Sequence, residues 1–494
     1  MIRWLIPALL LLAPAALAAE GEGAPQRRAK PPAKPAPAKP ATAPDPAPAR
    51  PVLTLGEVLA SSARFQPQIL EAIAKVRSAE GKRLQAEGAF DTQVKAEGVG
   101  RLSGYYDGSY AGGTIERPIE NFGGSYYGGY RISGGRFPIY EDERYTNVLG
   151  EIKAGAVLSL LRDRFIDDRR FNRGNAALDI DIAEAEKLIT AISVQRRAVA
   201  AYNLWVAAGL RLKVYRDLLE LARARQAGIE RQVELGARPR ILLTEQAQNI
   251  LRRETLVART EQELANAANT LSLFWRDANG QPQRPSAELL PDAFPKITPP
   301  SGATRMALQG RPDLQTIDLR IAQATNRLEL DRNQLKPRLD LKLEASQDLG
   351  PVGSGGVSRN GFETKVGLSF SVPLERRAAK GRIAATTAEI DGLERRRQAT
   401  REQIAAEIEG IAIDVRATER LALLAEEERA RAGEMAQAER RRFTEGASDF
   451  FLVNLREESA ADAAVRQLDA RFRNLVSNAE LAAAAADLKA LGLE

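Results

Sequence analysis

The chain has 494 residues, with 71 basic and 65 acidic side chains, a net charge of +6, no histidine and no cysteine. Without His or Cys, the common zinc, copper and nucleophile–base arrangements cannot be assembled, and neither a disulfide framework nor a lipid-modified N-terminal Cys is available. Residues 1–52 hold seven basic and three acidic side chains, leaving 64 against 62 for the remainder. The part able to fold is therefore nearly neutral and has no basic excess for nucleic acid.

Residues 1–18 have the pattern of a cleaved secretory signal: Met1-Ile2-Arg3 is a short basic start, Trp4 to Leu12 an apolar run, and Ala16-Leu17-Ala18 a small-x-small cleavage site. The run is too short to span a bilayer. Residues 19–52 form a Pro/Ala/Lys-rich tail that reads as a flexible spacer, with contact to an anionic periplasmic surface as the alternative. From Leu53 to about Gly88 a helix is expected, with Thr54 and Glu57 in capping-box spacing. Period-two segments follow: a weak one over Phe90 to Leu102, then Ile152, Ala154, Ala156, Leu158 and Leu160 on one face. The segment 103–146 between them is rich in Gly and holds eight of the ten tyrosines, which suits an extracellular loop with an aromatic belt, or a loop folded on itself.

A helix of about 95 Å is expected from about Asn172 to Leu235, where Gly236 breaks it, and a shorter one from about Ile241 to Trp275. A Pro-rich linker over 277–301 closes a first repeat, 53–276, with strands at about 89–161. The second repeat, 302–494, runs through the same order. It has a Pro-bearing helix to Leu335, with Pro312 opposite Pro67, and strands at about 337–375. A helix then runs from about Ala378 to Glu445, and another from Phe450 to Leu491. Arg231, Gly236, Ala237 and Leu242 recur 210 residues on as Arg441, Gly446, Ala447 and Leu452. Pro239 marks the restart in the first copy, and Ser448 or Asp449 is the candidate N-cap in the second.

The second strand pair alternates sharply. Leu339, Leu341, Leu343 and Ala345 oppose Arg338, Asp340, Lys342 and Glu344, and Val366, Leu368, Phe370, Val372 and Leu374 oppose Lys365, Gly367, Ser369 and Ser371. Strands with one apolar and one polar face fit a transmembrane barrel or a soluble sheet with one wet side. Helices of this length leave no obvious soluble core to cover the apolar side, and four strands cannot close a barrel alone, so an oligomer is expected. Asp340, Lys342, Glu344, Lys365, Ser369 and Ser371 are then the candidate lumen lining. Arg placed at Leu341 or Phe370 should impair insertion, and at Ser369 should be tolerated.

In order and spacing, the doubled tips at Gly236 and Gly446, the doubled strand pairs and the helices opened by Pro67 and Pro312 resemble the TolC family of outer-membrane efflux proteins, over essentially all of the chain from Leu53 onward. The resemblance implies a mainly helical fold in which duplicated hairpins form a trimeric α-barrel and four strands per chain form a shared twelve-stranded transmembrane β-barrel. It also implies a cell outer-membrane location reaching into the periplasm, with a periplasmic adaptor and an inner-membrane transporter as partners. Adaptor docking would fall on Leu235, Gly236, Ala237 and Leu242 and on Glu445, Gly446, Ala447 and Leu452. Drug-efflux members gate with an aromatic three residues before the second-tip Gly, a basic residue two after and carboxylates six and nine after. This chain has Phe443, Ser448, Leu452 and Leu455 there, keeping only the aromatic. Arg238, Arg240, Glu245, Phe443, Asp449 and Glu457 are the candidates for a different constriction.

No residue is assigned to catalysis, a cofactor or a metal, because paired carboxylates are too common on the helices to be informative and neither Gly98-Val99-Gly100 nor Gly353 to Gly356 opens a helix after a strand. The function expected is a passive exit duct for efflux or type I secretion. The alternatives are a secreted periplasmic coiled-coil scaffold and, less well matched by the doubled strand pairs, a periplasmic adaptor.

Overall fold

A computed structural model describes residues 52–295, 302–353 and 361–494. The expected signal segment, all but the last residue of the tail, the end of the linker and Ser354 to Gly356 lie outside the described residues.

The helix expected from Leu53 to Gly88 is two helices, α1 (Leu55–Phe65) and α2 (Pro67–Glu87). The break is at Gln66, which is extended (φ −67°, ψ 122°) because the ring of Pro67 disfavours a helical conformation in the residue before it. Thr54 and Glu57 form the reciprocal capping box: the Glu57 amide donates to Thr54 Oγ1 at 3.3 Å and the Thr54 amide to Glu57 Oε2 at 2.8 Å. The second repeat breaks the same way, at Arg311, between α5 (Ala303–Gly310) and α6 (Pro312–Asn333).

The long helices are α3 (Asp168–Glu234, 67 residues) and α7 (Arg377–Thr444, 68 residues), each about 100 Å at 1.5 Å per residue. Each turns back into a shorter helix, α4 (Ile241–Leu271) and α8 (Phe450–Ala484). The packing order across this layer is α4, α3, α8, α7, with α2 on α3 and α6 on both α3 and α7. The two repeats are thus interlocked through α3. The main core, around Val58, Ile69, Val194, Tyr202, Trp205, Leu271 and Phe274, lies where α1, α2 and α4 close on α3.

The inter-repeat linker is part of this core. Leu289, Leu290 and Phe294 pack on it, the Leu53 amide donates to the Leu289 carbonyl at 2.9 Å, and Leu290 crosses α3 at Gly209, where a β-carbon would lie 2.2 Å from its Cδ1. The Tyr202 hydroxyl donates to the Leu53 carbonyl at 2.8 Å, and burial pushes its pKa from 10.0 up to about 12. Below pH 10 the phenol is neutral in both folded and unfolded chains, and its full contribution is present. As pH rises through the 10 to 12 window the unfolded chain ionises first and about 2–3 kcal/mol is lost. Tyr202→Phe should therefore flatten that alkaline limb in melting curves taken from pH 9 to 12, at the cost of about 1 kcal/mol near neutrality for the missing hydrogen bond.

The strands form one antiparallel sheet in chain order: β1 (Gln93–Val99), β2 (Ser109–Pro118), β3 (Gly124–Gly134), β4 (Glu151–Ser159), β5 (Arg338–Asp348) and β6 (Phe362–Ser371). Four strands per chain were expected and the described residues contain six, because the Tyr/Gly-rich segment read as a loop contains the hairpin β2–β3. Tyr110, Tyr126, Tyr127 and Tyr130 are strand residues, so half of the tyrosines assigned to a loop stand in the sheet. The two repeats meet at β4 and β5, where Glu151 pairs with Asp348 and Ser159 with Asp340.

Candidate functional site

Directly paired residues of a sheet share a face, so the register sorts all six strands. One face carries Val94 and Ala96 from β1, Ala111, Gly113 and Ile115 from β2, and Tyr126, Tyr130 and Ile132 from β3. It continues through Ile152, Ala154, Ala156 and Leu158, then Leu339, Leu341, Leu343 and Ala345, and ends on Val366, Leu368 and Phe370. The opposite face carries Lys95 and Glu97, Thr114 and Glu116, Tyr127 and Arg131, Lys153, Asp340, Lys342 and Glu344, and Lys365, Ser369 and Ser371. The six candidate lumen residues therefore stand together on the polar face, with Asp340 opposite Ser369 and Glu344 opposite Lys365.

The polar face is cross-linked. Lys95 Nζ donates to Glu116 at 2.8 Å, Arg131 to Glu151 at 2.7 Å, and the Tyr127 hydroxyl to Glu344 at 2.5 Å. Tyr127 reaches from β3 to β5 by lying over Gly155 of β4, where a β-carbon would stand 2.6 Å from its ring. The apolar face is instead exposed at Ile115, Tyr126, Ile152, Val366, Leu368 and Phe370. Among the described residues no helix is long and apolar enough to cross a membrane.

At the far end of the helices each hairpin tip is closed by the same Schellman turn. Gly236 (φ +70°) donates to the Val233 carbonyl and Ala237 to that of Gln232; Gly446 (φ +78°) donates to Phe443 and Ala447 to Arg442. Asp449 caps α8, accepting from the Leu452 amide at 2.7 Å, whereas Pro239 precedes a 3₁₀-like start in which its carbonyl accepts from Leu242 at 3.1 Å. Leu235, Gly236, Ala237, Glu445, Gly446 and Ala447 are exposed at the two tips, and Leu452 is half-buried. Leu242 corrects the docking set: it is buried against Ile229 and Phe450, because it falls on the inward face of the first turn of α4. The large apolar side chains presented there are Ile241 and Phe451, equivalent positions of the two repeats that the repeat alignment passed over by one residue.

The candidate constriction residues are not gathered in one place. Arg240 and Glu245 are exposed on the first hairpin and Arg238 is half-buried, while Asp449 is used as a cap. Phe443 is half-buried below the Arg225 guanidinium, 5.8 Å from the ring centroid. Glu457 is corrected outright: its side chain is 0% exposed, in the interior of the four-helix layer. Its carboxylate accepts from Arg225 of α3, from Arg253 of α4 at 3.3 Å and from Arg440 of α7 at 2.9 Å. Asn454, one turn earlier, accepts from Arg225 at 2.9 Å. Arg253 also donates to the Leu218 carbonyl at 2.7 Å, and burial holds its pKa below the ordinary guanidinium value against the pull of Glu457. One carboxylate of α8 thus ties α3, α4 and α7 to its own helix, and with three guanidiniums around it the cluster is cationic.

The sheet, divided into an apolar and a polar face, is joined to duplicated helical hairpins about 100 Å long. Residues 303–490 match the family model described as outer membrane efflux protein, and the chain has the fold of TolC-family channels. It is similar to the open state of the MtrE outer-membrane channel of Neisseria gonorrhoeae, at 14% identity over 89% of each chain with a TM-score of 0.61. VceC of Vibrio cholerae aligns at 15% identity over 89% of this chain and 97% of that one, with a TM-score of 0.59. The CmeC outer-membrane channel of Campylobacter jejuni aligns at 14% identity over 87% and 85%, also with a TM-score of 0.59. No curated protein matches the chain in sequence. Of these neighbours, MtrE and CmeC are outer-membrane channels and VceC is an outer-membrane protein.

Proposed function

We propose that this chain is the outer-membrane exit duct of a tripartite efflux or type I secretion system. It works as a homotrimer and passively conducts cargo handed to it by a periplasmic adaptor and an inner-membrane transporter. The observation that carries the reading is the apolar face, continuous over six strands and uncovered by any described helix of the chain. Such a face needs lipid, and the charged face opposite needs water. The helical layer supports association of copies: α4 and α7 lie at its two margins and expose Leu251 on one and Leu421 and Leu424 on the other. The exposed Leu235, Ile241 and Phe451 at the tips suit an adaptor contact through apolar side chains. Energy for export belongs to the transporter, and the duct supplies a wet path.

The mass of the particle extracted from the outer-membrane fraction in mild detergent tests this reading. A stable three-chain particle is expected. A water-soluble monomer or dimer recovered without detergent would instead favour a secreted scaffold. The export profile of a deletion strain then separates small-molecule efflux from protein secretion.

A further inference from the structure

The hairpin β2–β3 stands between β1 and β4 at full height. Gln93, Glu116, Tyr127, Gly155, Glu344 and Lys365 form one row across all six strands, and Val99, Tyr110 and Ser133 form a row across β1, β2 and β3. Its turn is tied to the segment that leads into α3: the Gly123 amide donates to the Arg164 carbonyl at 2.8 Å, and the Gly123 carbonyl accepts from Ser159 at 2.9 Å. Both strands keep the division of faces along their length, Arg117 at the helix-side end of β2 being the one charge on the apolar side, opposite Tyr126. Ala111, Gly113, Ile115, Tyr126, Tyr130 and Ile132 continue the apolar side, and Thr114, Glu116, Ser125, Tyr127 and Arg131 the polar one. The polar side chains bond in both directions, Glu116 to Lys95 on β1 and to Ser125 on β3 at 3.0 Å, and Tyr127 to Glu344 two strands away. A loop flap projecting into water has no reason to keep either the alternation or these ties. Among the described strands, the unpaired edges of the sheet are those of β1 and β6.

Resting on the duct reading, we infer that β2 and β3 are wall strands with lipid acyl chains against Ile115, Tyr126 and Ile132, and that each copy closes on the next through β1 and β6. Three copies then make an eighteen-stranded barrel where four strands each would make twelve. Barrel diameter grows roughly in proportion to strand number, so the pore is about one and a half times wider, in the size range where side chains no longer fill the interior. Its lining is charge-balanced: Lys95 is paired with Glu116, Arg131 with Glu151 and Lys365 with Glu363. Such a wall discriminates among solutes by size and not by charge.

The chain lacks cysteine, so single cysteines at neighbouring positions read the two faces directly. In outer membranes, Thr114→Cys should react with a membrane-impermeant maleimide, and Ile115→Cys at least tenfold more slowly until the bilayer is dissolved. Equal labelling of both in a membrane-bound trimer would overturn the wall assignment and leave the duct reading standing. A chain recovered without detergent would overturn both. Electron-microscopic images of the unsubstituted trimer supply a test free of any folding defect: eighteen strands are expected in the barrel, and twelve would refute the inference.

Discussion

Glu457→Gln is expected to cost about 3–5 kcal/mol of stability, the usual consequence of removing one partner from a buried ion pair. The substitution keeps the volume of the side chain and an acceptor oxygen, so packing changes little and the loss is electrostatic. Arg225, Arg253 and Arg440 would remain around a neutral amide, with Arg253 only 1% exposed and unable to recover its hydration. Arg440→Ala provides the contrast. That guanidinium is 37% exposed and is the outermost of the three, so its removal leaves Glu457 paired with two cations and relieves some repulsion between like charges. A change within about 1 kcal/mol is expected there. Thermal loss of the helical circular-dichroism signal in the detergent-solubilised protein measures both. Equal destabilisation by the two variants would show that the cluster does not organise the bundle around this carboxylate.

The features that were legible in the sequence are those with local causes. Gly236 and Gly446 take a positive φ where the long helices end, and the leucines and valines of β5 and β6 alternate without interruption; the restriction that Pro67 and Pro312 place on the residue before them, by contrast, splits helices that the sequence reading left whole. The hairpin β2–β3 escaped because Ala111, Gly113 and Gly128, types with weak strand preference, and the charged Arg117 interrupt its apolar face and make the alternation shallow. Only pairing with β1 and β4 makes it a strand pair. Glu457 was not recognisable as buried, since it adjoins Glu458 on a helix full of charges and its partners Arg225 and Arg253 are more than 200 residues away in the other repeat. Leu242 was misassigned for a related reason. The repeat marks equivalent positions but not the rotation of the helix, and one residue around the helix separates the buried Leu242 from the exposed Ile241.

Register also changes which substitution in the barrel should hurt most. Phe370 pairs with Leu339, one residue from the helix-side end of β5, whereas Val366 pairs with Leu343 midway along both strands. The cost of arginine on a lipid-facing position depends on depth, about 2–4 kcal/mol at the midplane and about 0–1 near the interface. Val366→Arg should therefore cost about 2–4 kcal/mol and deplete the chain from the outer membrane. Phe370→Arg, close to the water at the strand end, should cost about 0–1 kcal/mol. Ser369→Arg, on the polar face beside Asp340, should insert normally. Quantifying the chain in outer-membrane fractions for the three variants gives the order directly. Depletion by Ser369→Arg with normal insertion of Val366→Arg would mean that the two faces are assigned the wrong way round. Equal depletion by Val366→Arg and Phe370→Arg would leave the faces correct but displace the midplane toward the helices.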